Sequence, residues 1–480
     1  MYNTSHGSTP ADRIHRHHST RQHTRKNAVT LNVKAFPDYL MNVRLRSIIL
    51  ILSSLFFYAN GLLADEHYVA PNGNSPWSAC NDANYPCSAT TAMDNAMAGD
   101  IVYFRGGTYD PGNATSWDQN SLQPAHSGSD VNPITFKAYP GEVPFIVANQ
   151  GFDGGAFGVC QQDWIIWDGF HSRAEQTSYG IRKVMYIRDA EHVIIRNCLI
   201  EGNSINTDGQ NNSIISTRAV NYLTVDNCKF YNAYGPGYNS TAFLLYLTQF
   251  LTIKNCNIYG CYIGIHEKEN NSNNTYHNNF IHDNVIGIGY HPVYTNWENF
   301  ICKNNIFINN SSAHVEILGT GAESFDGLKI YNNTFYNNVG QGTGFALLDD
   351  GIVRNVEIFN NLVVNSNRFC RHFANEIAYA DYNNFFGNGY FWLSGSVGDL
   401  AWWRNNTDWD DNSVESDPNF INQGGTSPAD YKRSIYTNNG RGGSYASVMG
   451  AYITGDEIIG FTPEGADNSA PAIPKGLGIH

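Results

Sequence analysis

The sequence predicts an all-β chain wound as a single-stranded right-handed parallel β-helix of about nine or ten coils, and three observations carry that reading. One phrase recurs seven times between residues 193 and 365, as VIIRNCLIEG, LTVDNCKFYN, LTIKNCNIYG, NTYHNNFIHD, FICKNNIFIN, LKIYNNTFYN and VEIFNNLVVN. Each copy closes a short run, apolar at every second residue, with an asparagine: Asn197, Asn227, Asn255, Asn278, Asn304, Asn332 and Asn360, at steps of 30, 28, 23, 26, 28 and 28 residues. Helical spacing of apolar residues is missing from the repeat.

A period of this length means stacked units that bury their apolar sides only against neighbours. The asparagine suits the sharp bend between two strands, because it tolerates the left-handed backbone conformation. Coils of this kind lie about 4.8 Å apart, so equivalent residues form ladders. Cys198, Cys228 and Cys256 would make one ladder, continued by Asn279, Asn305, Asn333 and Asn361; a change from thiol to amide along one row suits an internal stack. A leucine-rich repeat shares the period but needs several leucines, whereas Ile, Val and Phe dominate here.

Residues 1–40 are polar and rich in His, Arg, Ser and Thr, with His15, His17 and His18 close together. They read as a disordered leader or a start codon placed too far upstream. Residues 41–64 read as a signal peptide: Arg44 and Arg46 precede an apolar run from Ser47 to Phe57, and Ala64 precedes Asp65. The expected mature protein is secreted, to the periplasm or the medium, and has no membrane span. The first 64 residues hold eight Lys or Arg and two Asp or Glu, so their removal takes the formal charge from −14 to −20. Such an acidic chain is not expected to bind nucleic acid, which favours basic stripes.

The solenoid is expected over residues 65–455, with strands at its entrance, a cap at its end, and a linker-like tail over 456–480. GDIVYFRGGTY and NPITFKAYPGEVPFI read as strands punctuated by Gly-Gly and Pro-Gly turns. Asp168 in WIIWDGF takes the asparagine position one step before Asn197. Nine cysteines leave at least one unpaired; Cys80 and Cys87 bracket a loop that a disulfide can close, and most others fall on repeat strands as small buried residues. The tryptophans Trp392, Trp402, Trp403 and Trp409 follow the last coil, where a solenoid needs its open end covered.

The order AMAGDIVYFRGGTY, PITFKAYPGE, WIIWDGF and then asparagine-bend coils resembles the secreted bacterial right-handed β-helix proteins of the pectate-lyase-like superfamily. That resemblance implies the fold and a polysaccharide substrate. The stretch from Ile265 to His291 further resembles the active-site coils of chondroitinase B and the related alginate lyases, in which a lysine in one coil is followed by an Arg-His pair in the next. Lys268 and His291 match those positions, Tyr290 stands where the arginine falls, and Cys261 and Ile263 stand where calcium-binding acids fall.

On the strand about a dozen residues before each bend, Ile265, Ile288, Val315 and Leu347 alternate inward. The polar neighbours assigned to the outer face are His266, Glu267, Lys268, His291, Glu316, Asp349, Asp350, Arg371 and His372. The expected chemistry is β-elimination on an acidic polysaccharide, with Lys268 as base and His291 as donor to the leaving oxygen. His266, Tyr290, Arg371 and His372 would bind substrate, and Glu316, Asp349 and Asp350 would hold Ca²⁺ through carboxylate oxygens. Two other readings stand beside it: a glycoside hydrolase pairing Glu316 with Asp349 or Asp350, and a non-catalytic glycan-binding solenoid. The protein is expected to be monomeric.

Overall fold

The computed structural model describes residues 65–463, apart from 115, 117, 150–153, 177–182, 208–210, 238, 294–295, 319–323, 349–352 and 373–376. The leader and signal segments, and the tail beyond residue 463, lie outside the described residues.

Each coil contributes a strand to each of three faces. The first face begins with Glu66–Val69, Ile101–Phe104, Ile134–Ala138 and Ile165–Asp168 and continues through Ile194–Arg196, Thr224–Asp226 and Thr252–Lys254 to Ile377–Asp381. Its path holds twelve strands, more than the repeat alone predicts, because the entrance strands pair in the same parallel ladder. The second face includes Leu199–Glu201, Lys229–Tyr231, Asn257–Tyr259 and Phe280–His282. The third face has longer strands, among them Lys183–Glu191, Asn212–Asn221, Ser240–Gln249, Ile263–Glu269, Ile286–Val293 and Ala313–Leu318. These three ladders are parallel throughout, as a chain that returns to each face once per coil requires.

The bend between the first and second faces is made by the asparagines of the repeat. Asn197, Asn227, Asn255, Asn278, Asn304, Asn332 and Asn360 have φ between 51° and 58°, the left-handed region in which a short amide side chain is tolerated. One coil earlier the left-handed residue is Gly169 (φ 82°). Asp168, expected at that position, pairs instead with Arg196 on the strand.

Inside the bend runs the predicted ladder. Cys198, Cys228, Cys256, Asn279, Asn305, Asn333 and Asn361 are all fully buried. Asn279 Nδ2 donates to Asn305 Oδ1 at 3.0 Å, Asn305 to Asn333 at 3.0 Å, Asn333 to Asn361 at 3.1 Å and Asn361 to Asn383 at 3.1 Å. The row ends on the buried Asp410, whose Oδ1 accepts from Asn383 Nδ2 at 3.0 Å. Beside it the apolar row Ile195, Val225, Ile253, Tyr276, Cys302, Ile330 and Ile358 fills the core. Full burial of such side chains contributes about 1.5–3 kcal/mol each.

Both ends are covered. At the start, helix Ala89–Asn95 packs Ala92 and Met93 into the core, its first turn capped by Ser88 Oγ accepting from Thr91 N at 3.1 Å. Cys80 and Cys87 lie there as buried thiols. At the far end, helix Leu400–Asn406 inserts Trp403, whose indole N–H donates to Asp410 Oδ2 at 3.0 Å; the tryptophan-rich segment is therefore cap. No strand follows Ser396–Gly398 among the described residues. Residues 441–463 instead run back over the asparagine bends. Asn360 donates to Ala446 O at 2.8 Å, Asn332 to Val448 O at 2.7 Å, Asn304 to Ala451 O at 3.2 Å, Asn278 to Ile458 O at 3.1 Å and Asn227 to Thr462 O at 2.8 Å. The segment from 456 to 463 is thus packed arm, not linker.

Candidate functional site on the third face

Through strand register, Tyr186, Ser216, Leu244, His266, Gly289 and Glu316 stand one above another on the side of the third face that points away from the core. Gly289 leaves a gap in this row: a Cβ there would meet His291 Nε2 at 3.2 Å, so the absent side chain makes the space into which His291 folds back. His291 Nε2 lies 3.0 Å from Glu316 Oε1, and the His266 and His291 rings meet edge to face with centroids 4.8 Å apart. The structure therefore brings together three of the predicted residues. It also closes them off, since His266 is 1% exposed, His291 6% and Glu316 5%.

Two assignments made from the sequence are corrected. Tyr290 lies in the hydrophobic core, 0% exposed, against Phe300 and Phe325. Glu267 is equally buried and accepts from Asn274 Nδ2 at 2.9 Å and from the Tyr276 hydroxyl. Both stand two residues beyond an inward isoleucine, Ile288 and Ile265, and the two-residue period of a strand carries them to the same side. Burial pushes the Glu267 carboxyl up to about 7, against the hydrogen bonds that favour its charged form. It is not available to bind sugar.

Lys268 owes its position to a bulge. The pairing jumps from Leu245–Glu267 to Tyr246–Glu269 on one side, leaving Lys268 as the extra residue against the preceding strand, and from Glu267–Tyr290 to Glu269–Val293 on the other, where the following strand sets two residues against it. A bulge of this kind re-aims one side chain. Nζ lies 3.2 Å from Asn239 Oδ1, 3.3 Å from the Tyr246 hydroxyl and 5.4 Å from the centre of that ring. Burial disfavours the ammonium and lowers its pKa, with Glu269 opposing. The Tyr246 phenol, raised to about 12 chiefly by burial, stays protonated at neutral pH.

Arg188, Arg218 and Tyr246 form the row that leads to this bulge. Arg188 is tied to Asp118 at 2.9 Å and Asp189 at 3.0 Å. Arg218 is exposed, acts electrostatically on Tyr186 and Tyr246, and makes no hydrogen bond or ion pair with another described residue. The sequence reading did not single out Arg218 or Tyr246, although the signal exists. Arg188, Arg218, Tyr246 and Glu269 each stand nine residues before an asparagine bend.

Arg371 and His372 end the strand Leu362–His372, and Arg371 shares the register row of Glu316 two coils on, through Ala346; the positions of their side chains are not described. Asp349 and Asp350 lie outside the described residues. Calcium takes about six to eight oxygen ligands. Around Glu316 the described residues supply one carboxylate, with one oxygen already on His291, and do not by themselves complete a calcium set. Nor does a second described carboxylate face Glu316, as a hydrolase pair requires. Asp65, His67 and Asp100 at the entrance have ligand-type atoms within 4.8 Å of one another, but Asp100 Oδ2 accepts from Met97 N at 2.8 Å and His67 stacks on Trp77.

Comparison with known proteins agrees with the architecture. The family described as "Right handed beta helix region" matches residues 177–335 and 220–414. The chain is similar to pectate lyase PEL9 of Emericella nidulans, 28% identical over 170 residues, a match that takes in 32% of this chain and 38% of that protein. The chain thus spans less than half the length of this curated relative. Among solved structures it is similar to pectate lyase Pel9A, with a TM-score of 0.49 at 16% identity over 82% of this chain and 97% of the other. A PL6 family alginate lyase, AlyGC, gives a TM-score of 0.37 at 14% identity over 69% and 53%. Among the described residues no helix is long and apolar enough to cross a membrane.

Proposed function

We propose that this chain, a right-handed parallel β-helix of the pectate-lyase-like kind, is an exported polysaccharide lyase that cleaves an acidic polysaccharide by β-elimination at Lys268. The observation that carries the reading is the Lys268 ammonium, lifted from the strand by a bulge, half-buried, depressed in pKa and within 3.3 Å of the Tyr246 hydroxyl. The signal-like segment at 41–64 and the likeness to a pectate lyase support export and substrate class.

In this reading the Arg218 guanidinium pairs with the uronate carboxylate, which stabilises charge as it develops on the adjacent carbon. Neutral Lys268 takes the proton from that carbon, and its electrons form the new double bond as the glycosidic carbon–oxygen bond breaks. The leaving oxygen takes its proton from the Tyr246 hydroxyl. The Lys268 ammonium then returns a proton to the phenolate across their contact, and both groups are reset. General base and acid steps of this kind contribute about 10²–10⁴-fold each.

The test is ultraviolet absorbance of the unsaturated product, with polygalacturonate, alginate and glycosaminoglycans in turn, before and after a chelator. A rise with one of them, lost in Lys268→Ala and reduced in Tyr246→Phe, is expected. A flat trace across the panel refutes the lyase reading, and undiminished activity in Lys268→Ala refutes the site. Loss of activity on chelation would bring a cation, and with it Glu316, Asp349 and Asp350, back into the chemistry.

A further inference from the structure

On the corner that leads into the first face, four consecutive coils carry an aromatic ring at one equivalent position. Trp164, His192, Tyr222 and Phe250 stack in order, with centroids 3.8, 4.7 and 4.9 Å apart and planes within 9° of parallel. All four are left-handed, with φ of 59°, 56°, 55° and 55°. In the next four coils the same position is Asn273, Asn299, Gly327 and Asn355, also left-handed. The solenoid therefore uses asparagine or glycine, suited to this conformation, in one half and rings in the other, of which Trp164, Tyr222 and Phe250 are bulky residues disfavoured there. The rings are not hidden, since Tyr222 is 46% exposed and Phe250 42%.

The stack walls a groove of about 370 Å³. Its floor is the outward row Ile166, Ile194, Thr224 and Thr252, one residue per coil, and Asp130 and Pro133 lie at one end. No Lys or Arg lines it, and its titratable side chains are Asp130, His192 and Tyr222.

We propose that this groove is a binding site for an uncharged stretch of polysaccharide, separate from the Lys268 site. Its lining pairs apolar ring edges and isoleucines with hydroxyls, which matches the C–H surfaces and hydroxyls of a sugar chain. The contacts repeat at the coil spacing of about 4.8 Å, close to the length of one sugar unit in an extended chain, so a repeating ligand meets the same surface at each step. A polyuronate would find a carboxylate at the groove end and no cation to pair with it.

The experiment is isothermal titration of the whole chain with neutral hexasaccharides of glucose, xylose and galactose, with an oligogalacturonate as the charged comparison. These neutral sugars are not substrates for elimination, so the result does not depend on the activity at Lys268. One neutral hexasaccharide is expected to bind, with affinity at least tenfold weaker in Tyr222→Asn and in Trp164→Ala. Tyr222→Asn installs the residue the later coils use, so its denaturation midpoint is expected to equal or exceed the parent's. No binding by any neutral hexasaccharide, or binding that survives Tyr222→Asn, overturns the proposal. A lowered midpoint in that variant assigns the stack to the fold, and a change in sedimenting mass assigns the face to self-association; either also overturns it.

Discussion

Replacing Glu267 by Gln should make the protein more stable in alkaline solution and leave it nearly unchanged in acid. The carboxyl is fully buried, accepts from Asn274 and Tyr276, and titrates at about 7 in the folded chain against an ordinary 4.5. Between those values the folded state keeps a proton that the unfolded state releases. Its contribution is therefore complete below about pH 4.5 and is lost as the pH rises through 7. At 1.36 kcal/mol per pH unit, the loss is about 3 kcal/mol by pH 8. The amide of Gln has the same shape and no charge to desolvate, so the variant should avoid that loss. Urea denaturation of parent and variant, followed by tryptophan fluorescence at pH 5 and pH 8, isolates this group, because every other titration is common to both. An equal difference at the two pH values, or a variant less stable at pH 8, refutes the placement of Glu267 in the core.

Arg218→Ala should raise KM for a polyuronate with a smaller change in kcat, since the guanidinium holds the substrate and lies outside the proton transfers; steady-state kinetics distinguish the two. The elimination rate should rise with pH through an apparent pKa below the ordinary lysine value, because burial favours the neutral amine of Lys268; a pH–rate profile lacking that limb counts against it as base. Asn333→Ala should cost about 2–5 kcal/mol by denaturation, as it leaves the buried Asn305 N–H and Cys302 carbonyl without the amide they bond at 3.0 and 2.9 Å. Truncation after Arg441 should expose Phe280, Ile306 and Tyr336, which pack with Ala451, Tyr452 and Ile459, and should show as dye binding and faster proteolysis.

The parts of this protein that were legible in its sequence are those where one residue type meets one backbone requirement. Asparagine at a left-handed bend is such a case, and the row from Cys198 to Asn361 is another, because its side chains change chemistry together and stay buried. The direction of Glu267 and Tyr290 was harder to read. Polarity favoured the outer face and strand parity the inner, and parity prevailed because both follow an inward isoleucine by two residues. His266, His291 and Glu316 were placed together correctly, but nothing in a sequence says that an outward row will be covered. Arg218 and Tyr246 come from coils before the cluster of charges, and only alignment on the bends, nine residues on, would have joined them to Lys268.

The irregularity of the repeat is itself informative about the site. The step from Asn255 to Asn278 is 23 residues, the shortest of the six, yet the strand Ile263–Glu269 in that coil carries one residue more than the strand before it can pair. The shortening falls in the corner before the strand. Residues 232–239 separate the second and third faces in the preceding coil, whereas Gly260, Cys261 and Tyr262 do so here. The longer corner before it supplies Asn239, which holds Lys268 Nζ from the side. Deletion in the turn and insertion in the strand thus fall in one coil, and the inserted residue is the lysine that the preceding corner holds. Asn239→Ala should release Lys268 Nζ from that hold and lower turnover without disturbing the core, since Asn239 lies in the corner and outside the buried cluster. Loss of turnover with an unchanged denaturation midpoint is the expected result, and full activity in that variant would mean that Asn239 does not position Lys268.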